Sequence, residues 1–401
     1  MVDEAAVAIV GGGPAGAALA TRLAHSGVST IVFERSAEPK WRACGVFSSP
    51  LTHSRLIDLG LTQAQVADLS RPISALALGT TSGATCRIEY RHGHAGGFDR
   101  VQLDGAMLDR ARDAGADVRV SRVVQSVGLP RAAAESGWLR TSATGPNRDG
   151  GAQTVRARFI VGADGPNSVV ARAAGVMARP RLSKAGLTFH MADPQAAPAG
   201  QPMTGRFVFG KGWYVGIAPV PGDRVNIGIV MPRGLLAEPL DVIAARLIGQ
   251  IPGPSEPWMS AQVTDSYAAA GRLSHRVTRN AGAGFLLVGD ACGFIDPLTG
   301  EGLHRALVSA ELAADAITGW LRGDARALDD YDRRLRSRFR TKDVVSWVLQ
   351  AFLAQPALLD YALRRLARRD RVRETLTLVL TDQIPASRAL DPRFMARLLA
   401  P

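Results

Sequence analysis

The chain has 401 residues, of which 46% are hydrophobic and 21% charged, so it can bury a large core as two domains or one interwoven unit. No apolar run reaches the roughly 18 residues of a membrane span, and we expect no signal peptide because the first residues lack a basic segment. The net charge is +12. The three cysteines show neither a disulfide framework nor metal-ligand spacing, which favours a cytoplasmic protein without a metal site.

A strand, a tight turn and a helix are predicted over residues 7–27. The turn carries the pattern G-x-G-x-x-G at Gly11, Gly13 and Gly16. The first glycine allows the turn, the second lets the backbone approach a pyrophosphate, and the third lets the helix pack closely on the strand. The pattern in this context predicts a dinucleotide-binding unit.

A second strand, residues 30–33, ends at Glu34, about 20 residues beyond the glycine pattern, where an acid that binds a ribose hydroxyl is expected. An acid here indicates a free 2′-hydroxyl, and therefore FAD or NAD rather than NADP. Arg35 beside it would lie over the adenine or on the surface.

Residues 97–104 lead into a predicted helix over 105–114 and a strand over 117–127. The polar stretch 132–151 predicts an exposed hairpin or meander with a loose loop. A buried strand over 157–163 then ends in Asp-Gly, which indicates a second contact with the cofactor.

Segments of alternating polarity predict an antiparallel sheet inserted in pieces, which would roof a pocket above the cofactor. These segments are residues 73–79, 85–90, 204–209, 213–219 and 224–231. Candidates for the substrate wall are Phe47, His53, His190, Phe207, Phe209, Trp213 and Tyr214. Aromatic residues on strands belong more often to a core than to a pocket, so each has that second interpretation.

A short apolar strand, residues 285–288, ends in Gly289-Asp290, and Gly300-Glu301-Gly302 precedes a helix predicted over 303–317. A helix start presents unpaired N–H groups and a positive dipole end, which suit a phosphate or a polarised carbonyl. Asp290 is placed to accept hydrogen bonds from a sugar or from water bound to a pyrophosphate.

Arginines concentrate in residues 333–340 and 363–373, where apolar residues recur at helical spacing. These segments predict amphipathic helices with solvated basic faces. Docking on an anionic membrane surface is the alternative. No nucleic-acid recognition motif accompanies the charge, so we expect no nucleic-acid partner.

These motifs together resemble the flavoprotein family of geranylgeranyl reductases, flavin-dependent halogenases and single-component aromatic hydroxylases, which are flavin monooxygenases. The matching residues are 11–16 with Glu34, Arg100 before Asp104, 162–168 and 289–302. The last motif, with Cys44-Gly45 after the second strand, is most similar to the geranylgeranyl reductase branch.

The resemblance implies an α/β fold with a Rossmann-like FAD-binding domain of the glutathione reductase type, an inserted antiparallel β-sheet domain for the substrate, and C-terminal helices. The FAD-binding domain would comprise residues 1–71, 97–175 and 272–325, the substrate domain 72–96 and 176–271, and the helical region 326–401.

The motifs and the resemblance give one set of residues expected to bind extended FAD. They are Gly11, Gly13, Pro14, Ala15, Gly16, Glu34, Arg35, Cys44, Gly45, Arg100, Val124, Asp164, Gly289, Asp290, Pro297, Gly300, Glu301, Gly302 and Leu303. No second dinucleotide pattern appears, so NAD(P)H would bind transiently, or a flavin reductase or other electron donor would supply electrons. The tryptophan-rich signature and catalytic lysine of the halogenases are not evident.

Two enzymatic functions remain open. The first is a monooxygenase that hydroxylates or epoxidises a lipophilic secondary metabolite, such as a polyketide, an aromatic compound or a terpenoid. The second reduces double bonds of a prenyl substrate, with Cys44 as a candidate catalytic residue that positions substrate or donates a proton. A small buried residue is the plainer interpretation of Cys44. A flavin-binding electron carrier without catalysis is a third hypothesis.

Overall fold

The computed structural model describes residues 3–90, 93–130, 135–144, 151–193, 196–198, 200–252, 262–380 and 383–399. The strands are β1 (Asp3–Val10), β2 (Thr30–Phe33), β3 (Phe47–Ser48), β4 (Ser70–Thr80), β5 (Thr85–Glu89), β6 (Ala95–Phe98), β7 (Asp117–Arg119), β8 (Arg122–Gly128), β9 (Gly137–Ala143), β10 (Gln153–Gly162), β11 (Met177–Ala178), β12 (Lys184–Ala192), β13 (Met203–Gly210), β14 (Trp213–Val220), β15 (Arg224–Pro232), β16 (Ala268–Ala270), β17 (Arg276–Val277), β18 (Ala281–Gly282) and β19 (Phe285–Leu287). The helices are α1 (Pro14–His25), α2 (Leu51–Asp58), α3 (Gln63–Asp68), α4 (Arg100–Asp113), α5 (Val169–Ala173), α6 (Leu240–Ile248), α7 (Gly302–Leu321), α8 (Ala327–Leu353), α9 (Pro356–Ala367), α10 (Asp370–Leu380) and α11 (Pro392–Leu399).

The first sheet has a parallel centre in the order β19-β10-β1-β2-β7. Val10 pairs with both Phe33 and Gly162, and Gly162 pairs with Leu287. The carboxyl ends of β1, β2, β10 and β19 therefore meet at one edge, which is where open α/β sheets bind their ligands. The glycine turn after β1, Glu34 after β2, Asp164 after β10 and Gly289-Asp290 after β19 all lie at this edge.

Helices α1, α4 and α7 cover one face of the first sheet and bury its largest apolar cluster. The alanine-rich α1 approaches the sheet closely because small side chains fill little space, and its Leu19 and Leu23 are fully buried. Truncating either leucine to alanine should cost about 2–5 kcal/mol. This core fixes the position of the helix starts at the ligand-binding edge.

The opposite side of the first sheet carries an antiparallel meander, since β9 pairs with both β8 and β10. The single strand predicted over 117–127 is two strands, because Ser121 has a positive φ of 55° and turns the chain between β7 and β8. Of the loose loop predicted within 132–151, residues 132–134 and 145–150 lie outside the described residues.

The second sheet has nine strands in the order β16-β12-β15-β14-β13-β4-β6-β3, with β5 beside β4. The expectation of a purely antiparallel sheet was wrong in one place, because β13 runs parallel to β4. These two strands come from separate insertions, so no hairpin turn fixes their relative direction. Strand β12 was absent from the predicted strands, although its nine residues all pair with β15 next to one edge of the sheet.

Alternation along the strands gives the second sheet two different faces. Odd-numbered residues of β12, β14 and β15 pack on α6 in a continuous apolar cluster. The other face meets the C-terminal helices α8–α11 and the connection between β2 and β3 in a separate cluster. We call this second surface the substrate face, because it carries Phe207, Phe209 and Tyr214 of the predicted substrate wall.

Candidate functional site

The glycine turn after β1 is packed tightly on two sides and open on a third. A Cβ at Gly11, whose φ is +106°, would lie 2.4 Å from the carbonyl oxygen of Ala163, and one at Gly16 would lie 2.0 Å from that of Gly11. A Cβ at Gly13 would have no atom within 4 Å. Gly13 therefore borders open space, directly before α1 starts at Pro14.

Glu34 is buried at the end of β2 and accepts three hydrogen bonds. Its Oε2 accepts from the N–H of Gly12 (2.9 Å), and its Oε1 accepts from the N–H of Ser36 (3.0 Å) and from Arg42 (2.8 Å). Burial alone would raise the pKa of Glu34, but these backbone bonds and the Arg42 charge lower it below 4.5. Arg42 was not predicted because it lies in a loop without periodicity. Arg35 is exposed.

Arg100 connects the start of α4 to the loop after β2. Its guanidinium donates to Asp104 (3.0 and 3.1 Å) and to the carbonyl oxygen of Gly45 (3.2 Å). The neighbouring Cys44 thiol interacts electrostatically with Arg100 and Asp290, so these three groups form one cluster. Burial raises the pKa of Cys44 and keeps it a neutral thiol at pH 7.

Asp164 follows β10 and has one oxygen in use. Its Oδ2 accepts from the N–H of Val169 (2.7 Å), whereas its buried Oδ1 has no hydrogen-bond partner among the described residues. Gly165 next to it has a positive φ and open space around its Cβ position. Val124 is buried beside β2, just before a bulge between Val124 and Ser126, so only its backbone could reach a ligand.

The Gly289-Asp290 turn is held by two residues that sequence reasoning missed. The N–H of Gly289 donates to Ser309 Oγ of α7 (2.8 Å), and Nε2 of His275 donates to the carbonyl oxygen of Asp290. Gly289 has a positive φ of 59°, and a Cβ there would lie 2.7 Å from Ala15. Asp290 is solvent-exposed at its surface, but the protein around its carboxylate removes part of its solvation and raises its pKa.

Helix α7 starts with its N–H groups uncapped by any side chain that the structure describes. Glu301, at the N-cap position, turns its carboxylate to Lys342 of α8 instead. A Cβ at Gly302 would have no atom within 4 Å, while one at Gly300 would clash with Phe47 at 2.3 Å. The loop thus packs on Phe47 and leaves the start of α7 open.

A buried ionic network joins the substrate face to this loop. Asp296 accepts from Tyr214 Oη (2.6 Å) and Lys184 Nζ (3.1 Å), and it caps the turn Pro297–Thr299 by accepting from the N–H of Leu298 (3.0 Å). Burial and the Asp296 charge raise the pKa of Tyr214, so the phenol stays a donor. Lys184 and Tyr214 therefore fix the loop to the second sheet.

Three predicted substrate-wall residues, Phe207, Phe209 and Tyr214, form one aromatic cluster on the substrate face. Phe207 and Phe209 stack with their ring centroids 6.2 Å apart, and both lie within 6.2 Å of Tyr214. Trp213 points to the opposite face and packs in the α6 cluster, apart from these three residues. The predicted substrate wall includes both Trp213 and Tyr214, but adjacent residues of a strand point to opposite faces of the sheet.

The two predicted histidines have different surroundings. His53 is part of α2 and faces β6, with its Nε2 3.3 Å from Ser70 Oγ and its ring 5.1 Å from that of Phe98. His190, at the far end of β12, contacts the carboxylate of Asp265 through Nδ1. Its ring lies 4.2 Å from that of Trp41, in the same loop as Cys44. Only His190 belongs to the substrate face.

Residues 4–346 match the family described as FAD binding domain. The chain belongs to this family. It is therefore an FAD-dependent oxidoreductase, and the resemblance to the geranylgeranyl reductase and flavin monooxygenase superfamily is confirmed.

This flavoprotein is 30% identical to a digeranylgeranylglycerophospholipid reductase of Methanopyrus kandleri over 78% of its own length and 77% of the relative. It is 26% identical to the chloroplastic geranylgeranyl diphosphate reductase of Nicotiana tabacum, over 82% and 69% of the two chains. A geranylgeranyl bacteriochlorophyll reductase-like protein of Thermoplasma acidophilum has the same fold, with a TM-score of 0.75, 20% identity and coverage of 100% and 96%. Across the described residues, no helix combines the length and apolarity needed to cross a bilayer.

The open groups at the sheet edge fit FAD. Space beside Gly13 and the free start of α1 suit a pyrophosphate, and the unpartnered Oδ1 of Asp164 is available to a ligand hydroxyl. The N–H groups of Gly302 and Leu303 would hold a polarised carbonyl at the start of α7. Glu34 already accepts from three groups, so a ribose hydroxyl would share or displace the Arg42 contact.

Proposed function

We propose that this flavoprotein reduces carbon–carbon double bonds of a lipophilic prenyl substrate. Reduced FAD would supply the hydride, and the product needs one proton in addition. The observation that carries the proposal is the neutral Cys44 thiol, which lies in the cluster of Arg100 and Asp290 at the ligand-binding edge. The names of the relatives, which are reductases of geranylgeranyl compounds, support the same reaction.

A protonated thiol is what saturation of a double bond requires from the protein. Hydride adds to one carbon, and Cys44 Sγ–H would give its proton to the other, so that the thiolate is reprotonated from solvent afterwards. The Arg100 charge would stabilise that thiolate while it exists. A positioned general acid typically contributes about 10²–10⁴-fold to a rate.

The test is anaerobic turnover of the chemically reduced holoenzyme with geranylgeraniol, followed by mass spectrometry of the lipid. We expect products that have gained hydrogen in pairs, and a rate at least about 100-fold lower in Cys44→Ala. Cys292→Ala is the matched control, because Cys292 Sγ donates to the carbonyl oxygen of Leu287 inside the fold. An unchanged rate in Cys44→Ala would remove this residue from the reaction, and no reduction by the wild type would remove the function.

Hydroxylation or epoxidation of a lipophilic secondary metabolite is the second candidate. The observation in its favour is that C-terminal helices cover the aromatic part of the substrate face, which would keep water away from an oxygen-activating flavin. Incorporation of labelled oxygen into the product would favour this reaction over reduction. Flavin binding without either product would leave the electron-carrier hypothesis.

The electron source in this proposal is NAD(P)H bound transiently or a separate flavin reductase, supported by the single G-x-G-x-x-G pattern. We further propose a cytoplasmic protein that touches the membrane through α9, where Leu358 and Tyr361 are exposed at helical spacing with Arg364 and Arg368. Sedimentation with vesicles containing an anionic phospholipid tests this contact. Replacing both arginines by glutamate should abolish it.

A further inference from the structure

Two neighbouring rings at one end of the substrate face, those of His190 and Trp41, each carry a buried polar atom that has no partner among the described residues. His190 is 4% exposed, and its Nδ1 contacts the carboxylate of Asp265, which also accepts from the His190 backbone N–H (2.8 Å). A carboxylate only accepts hydrogen bonds, so Nδ1 carries the proton and Nε2 is an acceptor. Among the described residues, Nε2 has no hydrogen-bond partner.

The second atom is Nε1 of Trp41, which is also buried without a partner among the residues described. An indole N–H only donates. The ring centroids of Trp41 and His190 are 4.2 Å apart, so an unpaired acceptor and an unpaired donor are carried by neighbouring rings. A hydroxyl group both donates and accepts, so it satisfies the two atoms together.

The location of this pair suits one end of an elongated substrate. His190 lies on the same side of β12 as Lys184, six residues away or about 20 Å along the strand. Between these ends Gly216 pairs with Gly228, and a Cβ at Gly228 would meet nothing closer than 3.8 Å, whereas the Phe207 ring packs over Gly216. Trp41 also precedes Cys44 in the loop that lies over the face.

The charges around His190 disfavour an anion. Asp265 is in contact with the ring, and Asp99 lies near it. The nearby cation, Arg224, is bonded to Asp99 at 2.7 Å. The described charges therefore sum to a negative value here, and a diphosphate would be repelled.

We propose that His190, Asp265 and Trp41 form a subsite for the uncharged hydroxyl end of the substrate. This subsite selects prenyl alcohols or phenols against prenyl diphosphates, and it rests on the proposed prenyl reductase function for the class of the chain. Both atoms are shielded from solvent, so the indole of Trp41 shifts when the hydroxyl enters.

The subsite can be tested without turnover by measuring binding to the oxidised holoenzyme through the change in flavin absorbance. The probes are geranylgeraniol, its methyl ether and geranylgeranyl diphosphate. We expect the alcohol to bind about tenfold more tightly than the ether, because one net hydrogen bond changes the affinity by about that factor. The diphosphate should bind more weakly than the alcohol. Trp41→Phe and His190→Leu should each remove the preference for the alcohol and leave the affinity for the ether unchanged.

His25→Leu, which changes an exposed histidine at the end of α1, is the control, and flavin content reports whether each variant folds. Trp41→Phe keeps the aromatic ring, so it tests the subsite even where His190→Leu fails to fold. Tighter binding of the diphosphate, no binding of the alcohol, or an unchanged preference in Trp41→Phe would overturn the proposal. Reduction of the diphosphate would then leave the proposed function standing. A lost preference in the variants without any reduction would keep the subsite and refute the reaction.

Discussion

Gly13 and Gly16, three residues apart in the G-x-G-x-x-G pattern, should respond to substitution by alanine in different ways. In Gly16→Ala the new Cβ would lie 2.0 Å from the carbonyl oxygen of Gly11 and 3.2 Å from Cβ of Ala163. Backbone must move to relieve that contact, which costs about 1–3 kcal/mol or more. We therefore expect Gly16→Ala to destabilise the apoprotein itself.

In Gly13→Ala the new methyl group meets no protein atom within 4 Å, and the backbone there has a φ of −70° that any residue adopts. Alanine is a poorer N-cap than glycine, so the apoprotein should lose less than about 1 kcal/mol. The methyl group instead occupies space needed by the pyrophosphate. If the overlap costs about 1–3 kcal/mol, the affinity for FAD falls about 5- to 150-fold.

Urea unfolding of the apoproteins and titration with FAD, monitored by flavin fluorescence, separate the two effects. Gly151→Ala is the control, since that exposed glycine has open space and no left-handed backbone. Wild-type FAD affinity in Gly13→Ala would refute the assignment of the open side to the ligand. Equal apoprotein stability of Gly16→Ala and Gly13→Ala would refute the packing argument.

Two further substitutions and one chemical modification have expected outcomes. Tyr214→Phe removes the 2.6 Å donor to buried Asp296 and should lower the unfolding free energy of the holoenzyme by about 1.5–3 kcal/mol in urea, whereas a loss below about 0.5 kcal/mol would contradict a structural role for the network. Because the pKa of Glu34 is lowered, its stabilisation is fully present above pH 4.5 and is lost as pH falls through the lower folded value. The difference in unfolding free energy between wild type and Glu34→Gln should therefore be constant above pH 4.5 and shrink below it. A difference that grows on acidification would show that the pKa of Glu34 is raised rather than lowered. Since burial raises the pKa of Cys44, alkylation by iodoacetamide at pH 7.5 should be slower than for an unfolded control, and rapid labelling would show a thiolate.

The part of the fold that sequence could predict is the part governed by local pattern. Glycine spacing and the acid after β2 placed Gly11, Glu34 and Asp290 at strand ends, and the pairing of Val10 with its neighbours brings those ends together. The five segments of alternating polarity all lie in strands of the second sheet. These features depend on residues close in the chain.

The groups that sequence could not predict depend on contacts between distant segments. Arg42 reaches Glu34 from an irregular loop, and Asp265 contacts His190 across 75 positions of the chain. Lys184 faces Asp296 because β12 is a strand, but its small and mixed residues gave no clear alternation. The sequence grouped Trp213 with Tyr214, although the two side chains lie on opposite faces, because an aromatic residue type does not show its face.

The order in which the chain supplies the cofactor site has a consequence for biosynthesis. Gly11 and Glu34 come first, but the first sheet gains β19 only after all strands of the second sheet have been made, and α7 starts at Gly302. Pairings between such distant segments form late, because the loops that separate them must close first. We therefore expect a ribosome-bound chain that ends before α7 to retain no FAD, so that cofactor loading is a late event that follows the meeting of both ends of the sheet.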